Sequence, residues 1–243
     1  MCVIMIRNGT KSNKADIKKM WDKNSDGAGV AWNDGKKTHY IKGIMNVERL
    51  IGILNNRNIT KNDYVVHFRM ASIGSKGQAL THPFLIDCKG SNPITYSGDK
   101  DLLIHNGHDA QILNRMIEAH THNMVKIPSG EFSDTRATAV MSAHCGHELC
   151  GHISGKFVVI TPKEIITYGV FEEKDGAKYS NTSWQAFYGY VSGKPLTSSF
   201  GCDGTFSTPK DLLIGDGTDD EYAGAEWYTD KDGIIVNRLN GEC

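Results

Sequence analysis

Strand-like and helix-like runs are mixed along this chain without a regular β–α–β alternation, and that order selects an α+β fold with mainly antiparallel sheets over a doubly wound parallel one. The apolar run Cys2-Val3-Ile4-Met5-Ile6 opens a strand over residues 2–7. Residues 13–22 carry Ile17, Met20 and Trp21 at helical spacing, with Ser12 available as a cap. Residues 28–32 and 36–42 flank Asn33-Asp34-Gly35, a hairpin signal. Val47, Leu50, Ile51 and Leu54 then form one helical stripe behind an Asn46 cap, and residues 63–69 alternate as a strand. Beyond Pro83 an irregular stretch leads to strands at 93–97 and 101–105 and a helix at 110–120. A further helix starts after Ser133, with Ala137, Val140, Met141 and His144 as its stripe and Gly146 at its end. Residues 155–181 hold three strand-like runs separated by Pro162-Lys163 and Lys174-Asp175-Gly176, the pattern of an antiparallel meander. The remainder is rich in Gly, Asp, Ser and Thr, with short runs at 211–214 and 233–239 and an acidic stretch from Asp216 to Glu221 that reads as a solvated loop. One domain is expected over residues 1–243, with 190–243 as a C-terminal extension of no assigned role.

Charge narrows the partners. Lys and Arg number 27 against 28 Asp and Glu, a net charge of −1, so no electrostatic footprint for nucleic acid or an anionic membrane is expected. The longest apolar runs, such as Phe157 to Ile160, are far too short to span a bilayer. The amino terminus has neither a basic leader nor a long greasy core, so it reads as a strand rather than a signal peptide, and a cytoplasmic location is expected. In a reducing compartment the six scattered cysteines would be free thiols.

Cys2 is the first candidate for chemistry. Initiator-methionine removal is favoured before a small second residue and would leave a thiol and an α-amino group on one amino acid. Their unperturbed pKa values, about 8.5 and about 8, let one relay the other's proton. The blander reading is a small apolar residue in a buried strand. Other segments weigh against that reading: His67-Phe68-Arg69-Met70-Ala71-Ser72, Thr81-His82-Pro83-Phe84, His105-Asn106-Gly107, Ser133-Asp134-Thr135, and the Asn24-Ser25-Asp26-Gly27-Ala28-Gly29 turn.

In that order, and with Cys2, these segments resemble the glutaminase domain of class II glutamine amidotransferases, members of the N-terminal-nucleophile hydrolases, over about residues 2–185. The similarity is greatest to stand-alone forms rather than fused synthases. It implies a four-layer αββα sandwich with two mainly antiparallel sheets and no metal or organic cofactor. Cys2 would attack the carboxamide of glutamine while its α-amino group carries the proton to the departing ammonia. The side-chain amide of Asn106 and the backbone N–H of Gly107 would hold the oxyanion. Arg69 would pair with the substrate α-carboxylate and Asp134 with its α-ammonium, a recognition suited to a zwitterion. Ser72 and His82 would complete the substrate pocket. As residues, His67 and His82 read as packed, hydrogen-bonded supports rather than proton carriers. A separate ammonia-accepting synthase subunit is the implied partner, with glutamine or a related small amide as substrate.

Two departures open alternatives. Many relatives have an aromatic residue where this chain has Met70, and Thr-His-Gly where it has Ser72-Ile73-Gly74. Hydrolysis of another amide such as a γ-glutamyl conjugate, or a catalytically silent scaffold, would accommodate them. Two metal-like patterns are weaker signals. Asp22 to Gly27 matches the first half of an EF-hand loop, but its twelfth position is Asn33, not a bidentate Glu. His144 to His152 packs histidines and cysteines closely, and a structural zinc site from Cys145, His147, Cys150 and His152 would be tight for tetrahedral closure.

Overall fold

The computed structural model describes residues 2–71 and 76–185, together with four short strands, Tyr190–Val191, Lys194–Pro195, Trp227–Thr229 and Ile235–Asn237. The expectations for Ser72, for the runs at 211–214 and for the acidic stretch from Asp216 to Glu221 lie outside the described residues.

Among the described residues eleven strands and five helices make up the body of the fold, and their strand pairings are antiparallel. Strands β1 (Val3–Asn8), β2 (Ala28–Asn33), β3 (Thr38–Ile44), β4 (Asp63–Phe68), β6 (Thr95–Gly98), β10 (Glu172–Lys174) and β11 (Ala177–Tyr179) form a seven-stranded sheet in the order β10-β11-β1-β4-β2-β3-β6. Strands β5 (Phe84–Leu85), β7 (Leu102–Asn106), β8 (Lys156–Ile160) and β9 (Ile165–Tyr168) form a four-stranded sheet in the order β5-β7-β8-β9.

The continuous apolar strands are explained by burial on both faces. Ile4, Ile6 and Val65 of the large sheet pack on Leu102, Ile104, Val158 and Ile160 of the small one. Their alternates, Val3, Met5 and Val66, face α1 (Lys14–Lys23) and α2 (Val47–Leu54) through Ile17, Met20, Leu50 and Leu54. On the far side Leu103, Phe157 and Val159 meet α4 (Gln111–Thr121) and α5 (Asp134–Cys145) through Ile112, Met116 and Val140. The layers therefore run α, β, β, α, as expected, because period-two side chains give each sheet two apolar faces to cover.

Local signals account for most boundaries. Asp34 Oδ1 accepts from the N–H groups of Lys36 and Lys37 to close the β2–β3 hairpin, with Gly35 at φ +84°. Asn46 caps α2 and Ser133 caps α5 through their side-chain oxygens. Helix α1 differs: Asn13, not Ser12, caps it, and the Ser12 hydroxyl lies 2.7 Å from that of Tyr64. Helix α5 carries no single stripe, because Thr135 to Val140 and Ser142 are all buried between α4, the small sheet and the loop at Gly90. The expected meander over 155–181 is split: β8 and β9 belong to the small sheet, and the chain then crosses to the large one for β10 and β11. The short helix α3 (Arg57–Thr60) and strand β5 have too few residues to leave a periodic signal.

Two contacts lock the sheets together at β2 and β3. Lys42, fully buried on β3, donates through its Nζ to the Pro83 carbonyl at 3.0 Å and to Asn92 Oδ1, and lies 4.2 Å from the centre of the Phe84 ring. Burial there pulls its ammonium down to about 7. Gly29 on β2 sits against the His82 carbonyl so closely that a Cβ would lie 1.8 Å from that oxygen. Both groups are backbone and cannot swing aside. Gly29→Ala should therefore destabilise the fold by about 1–3 kcal/mol or more, read as a lower urea midpoint in equilibrium unfolding; an unchanged midpoint would show that the sheets are free to part.

Candidate active site

The register of β1 determines what surrounds Cys2. Val3 pairs with Phe68 of β4, so Cys2 falls beside Arg69 and Met70. Its thiol lies 3.4 Å from the Met70 carbonyl, to which it donates, and 3.3 Å from the Met70 N–H, from which it accepts. On the other flank the Asn181 side-chain amide donates to the Cys2 carbonyl at 2.7 Å. Burial raises the thiol above its ordinary value; the Met70 N–H and the Arg69 guanidinium act against this, and the Asp134 carboxylate adds to it. The thiol thus lies in the fields of both expected substrate anchors.

Arg69 is buried and continues the β2–β4 ladder, its N–H donating to Gly27 at 2.8 Å and its carbonyl accepting from Asp26 at 3.1 Å. This places the 24–29 turn at the end of β4, which pairs with β1. Desolvation lowers the guanidinium from its usual value, while Cys2, Asp26 and Glu131 favour its charge. Asp26 accepts from the Ala71 N–H at 2.9 Å and pairs with Lys76 at 2.9 Å, so this part of the EF-like pattern fixes the arginine segment. Asn24, also in that pattern, is buried and donates to the Met20 carbonyl.

Asp134 opens α5, where a carboxylate complements the helix dipole. Its Oδ1 accepts from the Thr135 N–H at 2.7 Å and its Oδ2 from the Asp109 N–H at 3.1 Å; the His108 Nδ1 lies 3.4 Å from Oδ2. Asn106 ends β7, buried, with its Nδ2 donating to Ser180 Oγ at 2.8 Å. Gly107 follows, and its lack of a side chain has a packing reason: a Cβ would lie 2.6 Å from His105 Nε2 and 2.7 Å from Gly155 Cα.

His67, His82 and His105 are buried beneath this region. His82 Nδ1 and His67 Nε2 are 2.9 Å apart in a buried pair. Burial and the surrounding cations hold His67 down at about 3 and His82 well below its ordinary value. Neutral rings can share one proton between facing nitrogens, whereas two imidazolium ions would repel. His105, also lowered by burial, stacks on Phe157 at 4.1 Å and bridges Ser154 to Thr135, tying Asn106 to the start of α5.

Cys2, Arg69, Asp134 and Asn106 are thereby brought to one end of the two sheets, while His82 lies in the buried pair beneath and Ser72 lies outside the described residues. His108, Ser180 and Asn181 join this region without a sequence signal, since each acts through a contact remote in the chain, and Asp26 joins it from the turn that the motif set included. The zinc-like segment does not converge: Cys145 is exposed, Cys150 is buried, and His147 bonds Tyr168 at 2.7 Å. Among the described residues no group of three or more His, Cys, Asp or Glu side chains is placed to hold a metal, and no helix is long and apolar enough to cross a membrane.

No family model matches the chain, and no curated protein matches it in sequence. Among solved structures it is similar to glutamine phosphoribosylpyrophosphate amidotransferase from B. subtilis complexed with ADP and GMP, at 15% identity and a TM-score of 0.50, over 74% of this chain and 41% of that one. The chain shares with that enzyme the fold of two facing antiparallel sheets between helical layers. A second structure, described as the allosteric regulatory enzyme of purine biosynthesis, is similar at 18% identity and a TM-score of 0.49, with the same coverage, 74% and 41%. The chain thus spans less than half the length of either protein.

The buried histidines make stability depend on pH. Their folded pKa values lie below the unfolded value of about 6.5, so below that pH the unfolded chain binds protons that the folded chain refuses. Each contributes stability present above pH 6.5 and lost as pH falls, at a slope of about 1.4 kcal/mol per pH unit. Chemical unfolding at pH 7.5 and 5.0 should show this loss, and His67→Asn should show a shallower one. Equal slopes in the two proteins would mean that His67 titrates freely.

Proposed function

We propose that this chain hydrolyses the side-chain amide of glutamine through a thioester on Cys2, releasing ammonia to an acceptor activity on another polypeptide or domain. The observation that carries the reading is a single thiol lying in the fields of a buried Arg69 and of Asp134. Opposite charges acting on one thiol suit a zwitterionic amino acid, with the α-carboxylate on Arg69 and the α-ammonium on Asp134. The similarity in fold to an amidotransferase supports the same chemistry.

A thiol raised by burial requires a proton acceptor close at hand. After removal of Met1, the α-amino group of Cys2 is that acceptor. Sulfur attacks the carboxamide carbon, and the negative charge on oxygen is met by the Asn106 amide and the Gly107 N–H. The carbon–nitrogen bond breaks as the relayed proton goes to the leaving ammonia. Water then cleaves the thioester, yielding glutamate and the free thiol. The Met70 side chain, 43% exposed beside Cys2, supports a second reading in which γ-glutamyl conjugates with apolar leaving groups are also hydrolysed.

Ammonia release from glutamine, measured on protein whose intact mass confirms loss of Met1, tests the proposal. Cys2→Ala should abolish turnover; activity that survives it refutes the mechanism. Asn106→Ala should lower kcat by about 10²–10³-fold with little change in KM, because that amide meets charge only in the transition state. Asp134→Asn should instead raise KM for glutamine. Relative rates on glutamine and on γ-glutamyl anilides decide between the two substrate classes.

A further inference from the structure

Ser180 follows β11, fully buried, at the seam where the two sheets meet. Its Oγ accepts from the Ile4 N–H on β1 at 2.8 Å and from the Asn106 Nδ2 on β7 at 2.8 Å. Its own N–H donates to the Ile4 carbonyl at 2.9 Å, and its carbonyl accepts from Lys156 on β8. The next residue, Asn181, holds the Cys2 carbonyl. One hydroxyl therefore joins the strand that carries the thiol, in the large sheet, to the amide expected to face the oxyanion, in the small one.

A serine oxygen has two lone pairs, and both are taken by these donors. This has a geometric consequence for Asn106. One of its two Nδ2 hydrogens is committed to Ser180, which orients the amide and leaves the other hydrogen directed elsewhere. From this we infer that Ser180 is a positioning residue for the reaction proposed above: it fixes the Asn106 amide relative to the Cys2 sulfur, so that donor and nucleophile keep their spacing although they belong to different sheets. The inference rests on that proposed reaction. Among the described residues no other side-chain hydrogen bond links β1 to Asn106.

The test is a double-mutant cycle on the full chain with glutamine as substrate. Ser180→Ala should lower kcat about 10- to 100-fold with KM within twofold of wild type, since a donor displaced by a fraction of an ångström loses transition-state contact but not substrate affinity. Ser180→Thr, which keeps the hydroxyl, should recover most of that loss. In an Asn106→Ala background Ser180→Ala should cost nothing further in kcat, because its route of action is already gone. A serine that merely holds the fold would give additive losses, and additive losses overturn the inference, as does wild-type kcat in Ser180→Ala. Should Ser180→Ala not fold, Ser180→Cys replaces it in the same cycle, its sulfur being a weak acceptor of nearly the same size. A wild-type protein that releases no ammonia overturns the proposed reaction and this role together; an active wild type indifferent to Ser180 overturns this role alone.

Discussion

The pairing register of β1 between β4 and β11 is the constraint on which the rest of the site depends. Both faces of β1 are buried, Val3 and Met5 under the helices and Ile4 and Ile6 against the second sheet. A slip by one residue would exchange those two sets of side chains between unlike environments, so the register is strongly specified. That register sets Val3 opposite Phe68 and Met5 opposite Tyr179, which delivers Cys2 to Arg69 on one side and to the Ser180-Asn181 turn on the other. Cys2 is thus placed by the hydrophobic packing of the strand residues that follow it.

Around that strand the interior treats charge unevenly. His67, His82 and His105 are driven toward neutrality by burial, and the cations of Lys42 and Arg136 are met by carbonyl oxygens of the 83–93 and 129–131 segments. With the rings beneath the site neutral, histidine charge does not add to the fields of Arg69 and Asp134 around the thiol. Carbonyl-capped cations, in turn, hold the loops that carry His82 and the start of α5. The electrostatic environment of the thiol is thus a product of the core as much as of the residues that face it.

The sequence disclosed those features whose cause is local. An Asp-Gly turn, an Asn cap and a Ser cap each act within a few residues, and the hairpin, α2 and α5 lie where those signals put them. Features whose cause is tertiary were hidden. The run at 155–181 has the turns of a meander, but which sheet each strand joins depends on partners far away in the chain, β7 for β8 and β1 for β11. Helix α5 lost its stripe because it is surrounded, and burial on all sides erases periodicity. The ordered motif set indicated Cys2, Arg69, Asn106 and Asp134, whereas Ser180 and Asn181 carry no motif: the hydroxyl that bonds Ile4 is 176 residues away in the chain.

The close approach of Gly29 to His82 has an evolutionary corollary. A position with no part in chemistry becomes as intolerant of replacement as a nucleophile, because its only acceptable side chain is a hydrogen atom. Gly52 on the outer helix α2, where a Cβ would meet nothing within 4 Å, is under no such steric restriction.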